Sequence, residues 1–211
     1  MPAKYQPIGF IDNNTPDSLS VPNEKVRVRS LIRLQSRSHS PEERSSAAAA
    51  LRAILREWPV FQQARRVFLF SALPGEPDLV PLLEEDVSEP PKHWVFPLIR
   101  GAHLRLKVVK HRSELHPGAF GILEPNGDAP EVALEELDVL LIPGMAFSPR
   151  DGARLGKGRG FFDRLLSASS HRGALVGVAY SWQFLDSIPM ESHDQRVEWV
   201  VSEVGMARCS C

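Results

Sequence analysis

Residues 137–166 read LDVLLIPGMAFSPRDGARLGKGRGFFDRLL. The apolar run Leu137 to Ile142, closed by Pro143 and Gly144, has the composition of a strand buried in a parallel sheet. Phe161 to Leu166 can start a helix. Between them Gly156, Gly158 and Gly160 alternate with Lys157 and Arg159. A glycine-rich basic loop between a core strand and a helix can surround a phosphate with backbone N–H groups and cations. A nucleotide is therefore the first ligand to consider.

Working outward, strand-like and helical stretches alternate. A helix is expected from about Asn23 to Ser38. Ser40 can cap the next, with Pro41 at its first position and Glu43 completing a capping box; that helix ends near Trp58-Pro59. Val67 to Ser71 reads as a strand, Asp78 to Glu85 as a helix and Trp94 to Leu98 as a strand. Leu104 to Val109 alternates apolar and basic residues as a half-exposed strand. Leu175 to Tyr180 and Trp199 to Ser202 supply later strands. This order predicts an α/β fold: a mostly parallel central sheet flanked by helices in a three-layer, Rossmann-like arrangement, with an N-terminal helical segment. Ligands in such sheets sit beyond the carboxyl ends of strands. A single rim is thus expected to gather Ser71 to Glu76, Pro143 to Gly160 and Tyr180 to Gln183.

The loop fits neither of two common phosphate-binding patterns. Gly152 to Gly158 is one residue too short for a Walker loop and has Gly158 where the hydroxyl belongs. A dinucleotide fingerprint needs its last glycine one position beyond Gly160. The physical ingredients remain: glycines that permit positive φ, the cations Arg154, Lys157 and Arg159, and Asp163, a carboxylate that can hold magnesium. On its glycines and basic residues alone the stretch reads better as a solvated surface turn.

Composition narrows the classes. With 211 residues, a net charge of -1 and 24% charged residues, the chain has room for a sizeable core and no strong basic bias toward nucleic acid. No apolar run approaches the roughly 18 to 20 residues of a membrane span, and residues 1–20 lack the apolar region of a secretory signal. A cytoplasmic protein is the expectation. Cys209 and Cys211 are read as dangling thiols, too few for a closed metal site. The domain layout expected is a flexible extension over 1–22, an α/β domain over 23–205 and a frayed C-terminus over 206–211. No H-x-H, H-E-x-x-H or G-x-S-x-G pattern points to zinc or serine-hydrolase chemistry.

Beyond its glycines, the loop carries Pro143-Gly-Met-Ala-Phe147, then Gly152-Ala-Arg154-Leu-Gly156-Lys-Gly158-Arg-Gly160, two phenylalanines and Asp163-Arg164. Further blocks occur around it in order: Lys25-x-x-x-Arg29, Ser40-Pro-Glu-Glu43, Ser71-Ala-Leu-Pro-Gly-Glu76-Pro-Asp78, Phe120-Gly-Ile-Leu-Glu124-Pro125, Pro189-x-x-x-His193-Asp194 and Val200-Val-Ser-Glu203. Together they resemble the 5-formyltetrahydrofolate cyclo-ligases, also called methenyltetrahydrofolate synthetases, over roughly residues 24 to 204. Two positions depart from the family pattern. Ser148 stands where the family usually has Asp, beside a one-residue insertion whose Asp151 either takes over that role or lies in a turn. Phe161-Phe162 replaces the usual tyrosine pair, which removes two hydroxyls but keeps stacking and apolar contact.

The resemblance implies an enzyme that uses ATP to cyclise 5-formyltetrahydrofolate to 5,10-methenyltetrahydrofolate, releasing ADP and phosphate through a phosphorylated formyl (imidate phosphate) intermediate. It implies ATP binding by Lys25, Arg29, Arg154, Leu155, Gly156, Lys157, Gly158, Arg159, Gly160, Phe161 and Phe162. Folate would be bound by Ser71, Glu76, Lys157, Gly158, Arg159, Gly160 and Phe161. Lys157 and Arg154 would be the catalytic residues, holding the triphosphate together with Lys25 and Arg29, with Mg2+ on Asp163 and Asp194. The expected partners are these two small molecules, with neither nucleic acid nor membrane, and the expected state is a monomer.

The residues also admit blander readings. Lys25, Arg29, Arg33 and Arg37 recur at i, i+4 spacing; on spacing alone they form a solvated stripe, and the resemblance singles out the first two. An RNA-binding face lacks the interleaved aromatics that base stacking needs. Asp78 reads as a helix cap. Phe161, Phe162, Trp182 and Trp94 could line a slot for a pterin ring, although buried aromatics more often belong to the core. A catalytically impaired relative and an RNA-binding accessory protein remain as alternatives.

Overall fold

The computed structural model describes residues 20–168 and 171–210. In chain order the elements are α1 (Val21–Arg37), α2 (Pro41–Glu57), α3 (Pro59–Gln63), β1 (Arg66–Phe68), α4 (Pro81–Glu84), β2 (His93–Arg100), β3 (His103–Val109), β4 (Leu115–Pro117), β5 (Leu123–Pro125), β6 (Val139–Pro143), β7 (Ala146–Phe147), β8 (Arg154–Leu155), α5 (Phe161–Ser167), β9 (Ala174–Val178), β10 (Trp199–Ser202) and β11 (Gly205–Arg208). The main sheet has the order β11-β10-β9-β6-β1-β2-β3. Its five central strands pair in parallel, and the edges β3 and β11 are antiparallel. The expected α/β architecture is present.

Strand β6 shows why the sheet has two covered faces. Its side chains alternate: Val139 and Leu141 join one apolar cluster, containing Leu51 and Leu55 of α2. Leu140 and Ile142 join another, containing Leu166 of α5. All four are fully buried, as a strand sandwiched between helical layers requires. Capping of α2 follows the sequence: Ser40 Oγ accepts from Glu43 N, and the Glu43 carboxylate accepts from Ser40 N. The helix α1 takes a different position. Its Val28 and Ile32 pack on Met145, Ala146 and Leu155 of the β7–β8 hairpin, and on Ile188. That contact sets α1 at the carboxyl end of the sheet, beside the glycine loop.

Several local expectations change. Helix α1 starts at Val21, so the expected extension loses its last two residues; residues 1–19 lie outside the described residues. The helix expected over Asp78 to Glu85 contracts to α4: Asp78 Oδ1 accepts from Val80 N in a turn before the helix. The C-terminus is not frayed through residue 210. Strand β11 pairs with β10, and Cys209 is buried in the second cluster rather than dangling. Its N–H donates to Glu198 O at 2.8 Å, so the sheet edge continues past the last apolar strand. Cys211 lies outside the described residues. No described helix is long and apolar enough to cross a membrane.

Candidate active site

Chain direction reverses across the sheet between β1 and β6: later strands add on one side of β6 and β2 on the other side of β1. Beyond the carboxyl ends of strands at such a switch point there is a crevice. Ser71 to Glu76 follow β1, and Gly144 follows β6. The β7–β8 hairpin then turns the chain back, delivering Arg154 as a buried side chain and the glycines as a loop. Gly158 and Gly160 have φ of 99° and 66°, in the region that L side chains avoid. Gly160 thereby starts α5, its carbonyl accepting from Arg164 N.

One side of this loop forms a cavity of about 630 Å³. From α1 come Lys25 and Arg29; the loop contributes Arg154 and the three glycines; Asp163, Glu191 and Asp194 face them. The charges are interlocked. Lys25, 5% exposed, donates to Asp194 and, at 2.8 Å, to Glu191. Burial disfavours its charge, but the hydrogen bonds it donates to both carboxylates and their attraction win, and its pKa is raised. Asp194 is held below the usual carboxylate range: burial opposes this, while hydrogen bonds from Glu191 N and Lys25 outweigh it. Arg154 Nη2 donates to Asp163 Oδ1 at 2.5 Å and Nη1 to Pro143 O at 3.3 Å. Its Nε is buried with no hydrogen-bond partner among the described residues. Arg29 Nε donates to Gly156 O at 2.9 Å, and burial lowers its pKa.

Asp163 and Asp194 thus share one cavity, as a magnesium site requires, although no group of three or more candidate metal ligands occurs among the described residues. Magnesium needs only one or two carboxylates when phosphate and water supply its other oxygens. The donor set fits the ion in that form. Each aspartate is ion-paired, Asp194 with Lys25 and Asp163 with Arg154, so a metal bound there would have to displace those cations.

The opposite side of the loop opens on two further cavities. One of about 650 Å³ runs from Arg33 and Arg37 of α1 to Tyr180 and Gln183. The other, about 190 Å³, is largely apolar and includes Leu104, Phe120, Phe161 and Phe162. Both are walled by Ser71, Glu76, Gly144 and Lys157. The three segments expected on one rim do converge. Lys157 Nζ lies 3.0 Å from Glu76 Oε1, and Leu73 N donates to Glu76 Oε2 at 2.8 Å. Burial raises the pKa of Glu76, with Lys157 pulling the other way. Ser71 Oγ accepts from Leu123 N, tying the rim to β5.

The aromatic slot needs correction. Trp94 is buried in the core beside Phe61, because β2 points it to the α2–α3 face. Trp182 stacks between His39 and Tyr180 and does not line the cavity that holds Phe161 and Phe162. Phe162 meets Phe68 edge-on. Phe120 is the aromatic that reasoning from sequence did not select. It is half exposed, has a φ of 58°, and lies under the Arg159 guanidinium at 3.6 Å. A bulky side chain with positive φ is uncommon and marks a special position. Its place in the Phe120-Gly-Ile-Leu-Glu124-Pro125 block was the available signal. Glu191 was also missed, since nothing local distinguishes it from a loop carboxylate.

The departures at Ser148 and Asp151 are structural in this chain. Ser148 is fully buried, its Oγ donating to Asp186 O at 3.2 Å. Asp151 accepts from Arg196 Nη1 at 2.6 Å and from Ala153 N, closing the β7–β8 turn. Neither lines the three cavities at the loop.

Comparison with known proteins gives a consistent result. The model of the 5-formyltetrahydrofolate cyclo-ligase family matches residues 21–203. A 5-formyltetrahydrofolate cyclo-ligase of Mycolicibacterium smegmatis is 32% identical over 188 residues, covering 86% of this chain and 94% of the relative. The Escherichia coli K12 protein of the same name is 30% identical, covering 82% and 96%. The NMR structure of Aquifex aeolicus 5,10-methenyltetrahydrofolate synthetase superposes with a TM-score of 0.76 at 33% identity, covering 87% of this chain and 92% of that one. With the family match spanning nearly the whole α/β domain, this chain belongs to the 5-formyltetrahydrofolate cyclo-ligase family.

Proposed function

We propose that the protein cyclises 5-formyltetrahydrofolate to 5,10-methenyltetrahydrofolate at the expense of ATP, releasing ADP and phosphate. Cyclo-ligase activity follows from the family; the observation that carries the ATP-dependent mechanism is the loop's position. Gly156, Gly158 and Gly160 border a cation-lined cavity, while Lys157, Gly160 and Phe161 border an apolar one. A phosphoryl donor and a flat folate ring can therefore meet across a single strip of backbone.

An N-formyl group is a weak electrophile because its oxygen is a poor leaving group. Attack of that oxygen on the γ-phosphorus, with cleavage of the bond to ADP, converts it into an imidate phosphate. N10 then attacks the formyl carbon, the carbon–oxygen bond breaks, phosphate departs with the former formyl oxygen, and N10 loses its proton to water or phosphate. Most of the task for the protein is placement and charge stabilisation. Lys25, Arg29 and Arg154 hold the triphosphate with the N–H groups of the glycine loop. Lys157, at the strip between the cavities, meets the charge that develops on the transferring group. Glu76 and Ser71 orient the folate, and Phe161 packs on its ring. Magnesium, held by Asp163 and Asp194 with phosphate oxygens, would neutralise charge on the triphosphate. No protein nucleophile is needed.

Two features weigh against the alternatives. Ser148, which could mark an impaired relative, touches none of the three cavities. Of the basic stripe on α1, Lys25 is turned inward and almost fully buried, which removes its first member from the face that RNA would need. The mechanism is tested by isotope transfer: 5-formyltetrahydrofolate labelled with 18O in its formyl group should yield inorganic phosphate carrying one 18O. Unlabelled phosphate alongside methenyl product would refute oxygen attack on ATP.

A further inference from the structure

Lys157 differs from the other cations of the site. Gly156 and Gly158, its chain neighbours, line the phosphate-side cavity, whereas Lys157 itself lines the two on the other side and not that one. It is drawn there by Glu76, 3.0 Å away, whose side chain is 5% exposed against 32% for Lys157. The carboxylate is fixed at its far oxygen by Leu73 N, and Glu76 N returns a bond to Leu73 O at 2.9 Å. So the turn holds Glu76 still, and the flexible lysine stem is the part free to move.

We propose that this ion pair is a latch that makes the two substrates bind cooperatively, each releasing the side chain that the other needs. The inference rests on the cyclo-ligase reading, in which Glu76 takes the folate and Lys157 the transferring phosphate. A pterin ring presents adjacent ring and amino N–H donors that a carboxylate accepts in parallel. It competes with Lys157 for Glu76 and fills the space the ammonium occupies. A triphosphate competes from the other side, offering Lys157 more negative charge than one carboxylate does. Whichever substrate arrives first spends part of its binding energy on opening the latch, and the second meets a site already open. Linkage makes the effect reciprocal. Burial of Glu76 supports the same picture, since its carboxylate is poorly stabilised when Lys157 leaves and no donor replaces it.

The test uses calorimetry with the β,γ-imido analogue of ATP, magnesium and 5-formyltetrahydrofolate, which do not react together. In the wild type each ligand should tighten the other by about 5- to 20-fold, within the usual range of coupling between sites. Glu76→Gln frees Lys157, so the nucleotide analogue alone should bind it about 5-fold tighter than wild type. Lys157→Met should bind 5-formyltetrahydrofolate with no coupling to nucleotide. Wild-type ligands that both bind but ignore each other would overturn the latch while leaving the cyclo-ligase reading intact. So would a Glu76→Gln protein with weakened nucleotide binding. Failure of the wild type to bind 5-formyltetrahydrofolate at all would overturn both.

Discussion

Asp163→Ala should gain more stability from nucleotide than wild type does without magnesium and less with it, and the structure sets the cost of the substitution itself. The Arg154 guanidinium and Asp163 carboxylate are 2.5 Å apart with side-chain exposures of 2% and 15%. Arg154 Nε already lacks a hydrogen-bond partner among the described residues. Deleting the carboxylate leaves the guanidinium with Pro143 O at 3.3 Å as its described hydrogen bond. Removing one member of a buried pair costs about 3–5 kcal/mol, against a total stability of roughly 5–15 kcal/mol for a typical domain. At roughly 2–4 °C per kcal/mol for a chain of this size, the ligand-free variant should melt about 6–20 °C below wild type. A triphosphate can supply the missing negative charge. With EDTA present, the imido analogue of ATP should therefore raise the melting temperature more in the variant than in wild type. With magnesium the order should invert, because on the proposed reading the variant lacks one of the two carboxylates that hold the metal. Thermal unfolding by circular dichroism in both conditions measures this. A ligand-free variant within about 2 °C of wild type would refute the buried-pair argument. The same order with and without magnesium would refute the partner exchange.

Other changes probe neighbouring groups. Glu191→Gln removes one of two carboxylates on Lys25; the pair is partly exposed, so the KM for ATP should fall only about two- to fivefold, and a rise would show that Glu191 helps to place the lysine. Asp194 is held below its ordinary pKa, so its contribution to stability is complete above about pH 4–5 and is lost as pH falls through the folded value. Denaturant midpoints at pH 7 and pH 3 should therefore differ less for Asp194→Asn than for wild type; an unchanged difference would count against the pairing. At Gly160 an added Cβ keeps φ at 66° and meets Arg164 Nη1 at 2.7 Å. Gly160→Ala should cost about 1–2 kcal/mol for the left-handed backbone and weaken nucleotide binding further, read by chemical unfolding and by titration with the analogue.

Sequence revealed what repeats locally. The run through Val139 to Ile142 sits at the centre of the sheet because an apolar stretch of that length, followed by Pro-Gly, has few other homes. The Ser40 cap and the glycine loop were equally legible, since each is a short pattern with its own chemistry. The hairpins β4–β5 and β7–β8 were not, because strands of two or three residues are too short for a period to show. Long-range partners were hidden too. Lys25 and Asp194 are 169 residues apart in the chain, and no spacing rule connects them. Trp94 and Cys209 misled for a related reason: which face a strand residue takes, or whether a terminus pairs, depends on register. Phe120 shows the remaining gap, because a positive φ at a non-glycine residue follows from its surroundings rather than from its letter.

The most direct measurement of the central claim is a coupled assay of purified protein with 5-formyltetrahydrofolate, ATP and magnesium, recording methenyltetrahydrofolate by absorbance and ADP in the same samples. The account predicts one ADP for each methenyl product, no product without ATP, and little from Arg154→Met protein. Methenyl product formed without ATP, or ADP released with no ring closure, would contradict it.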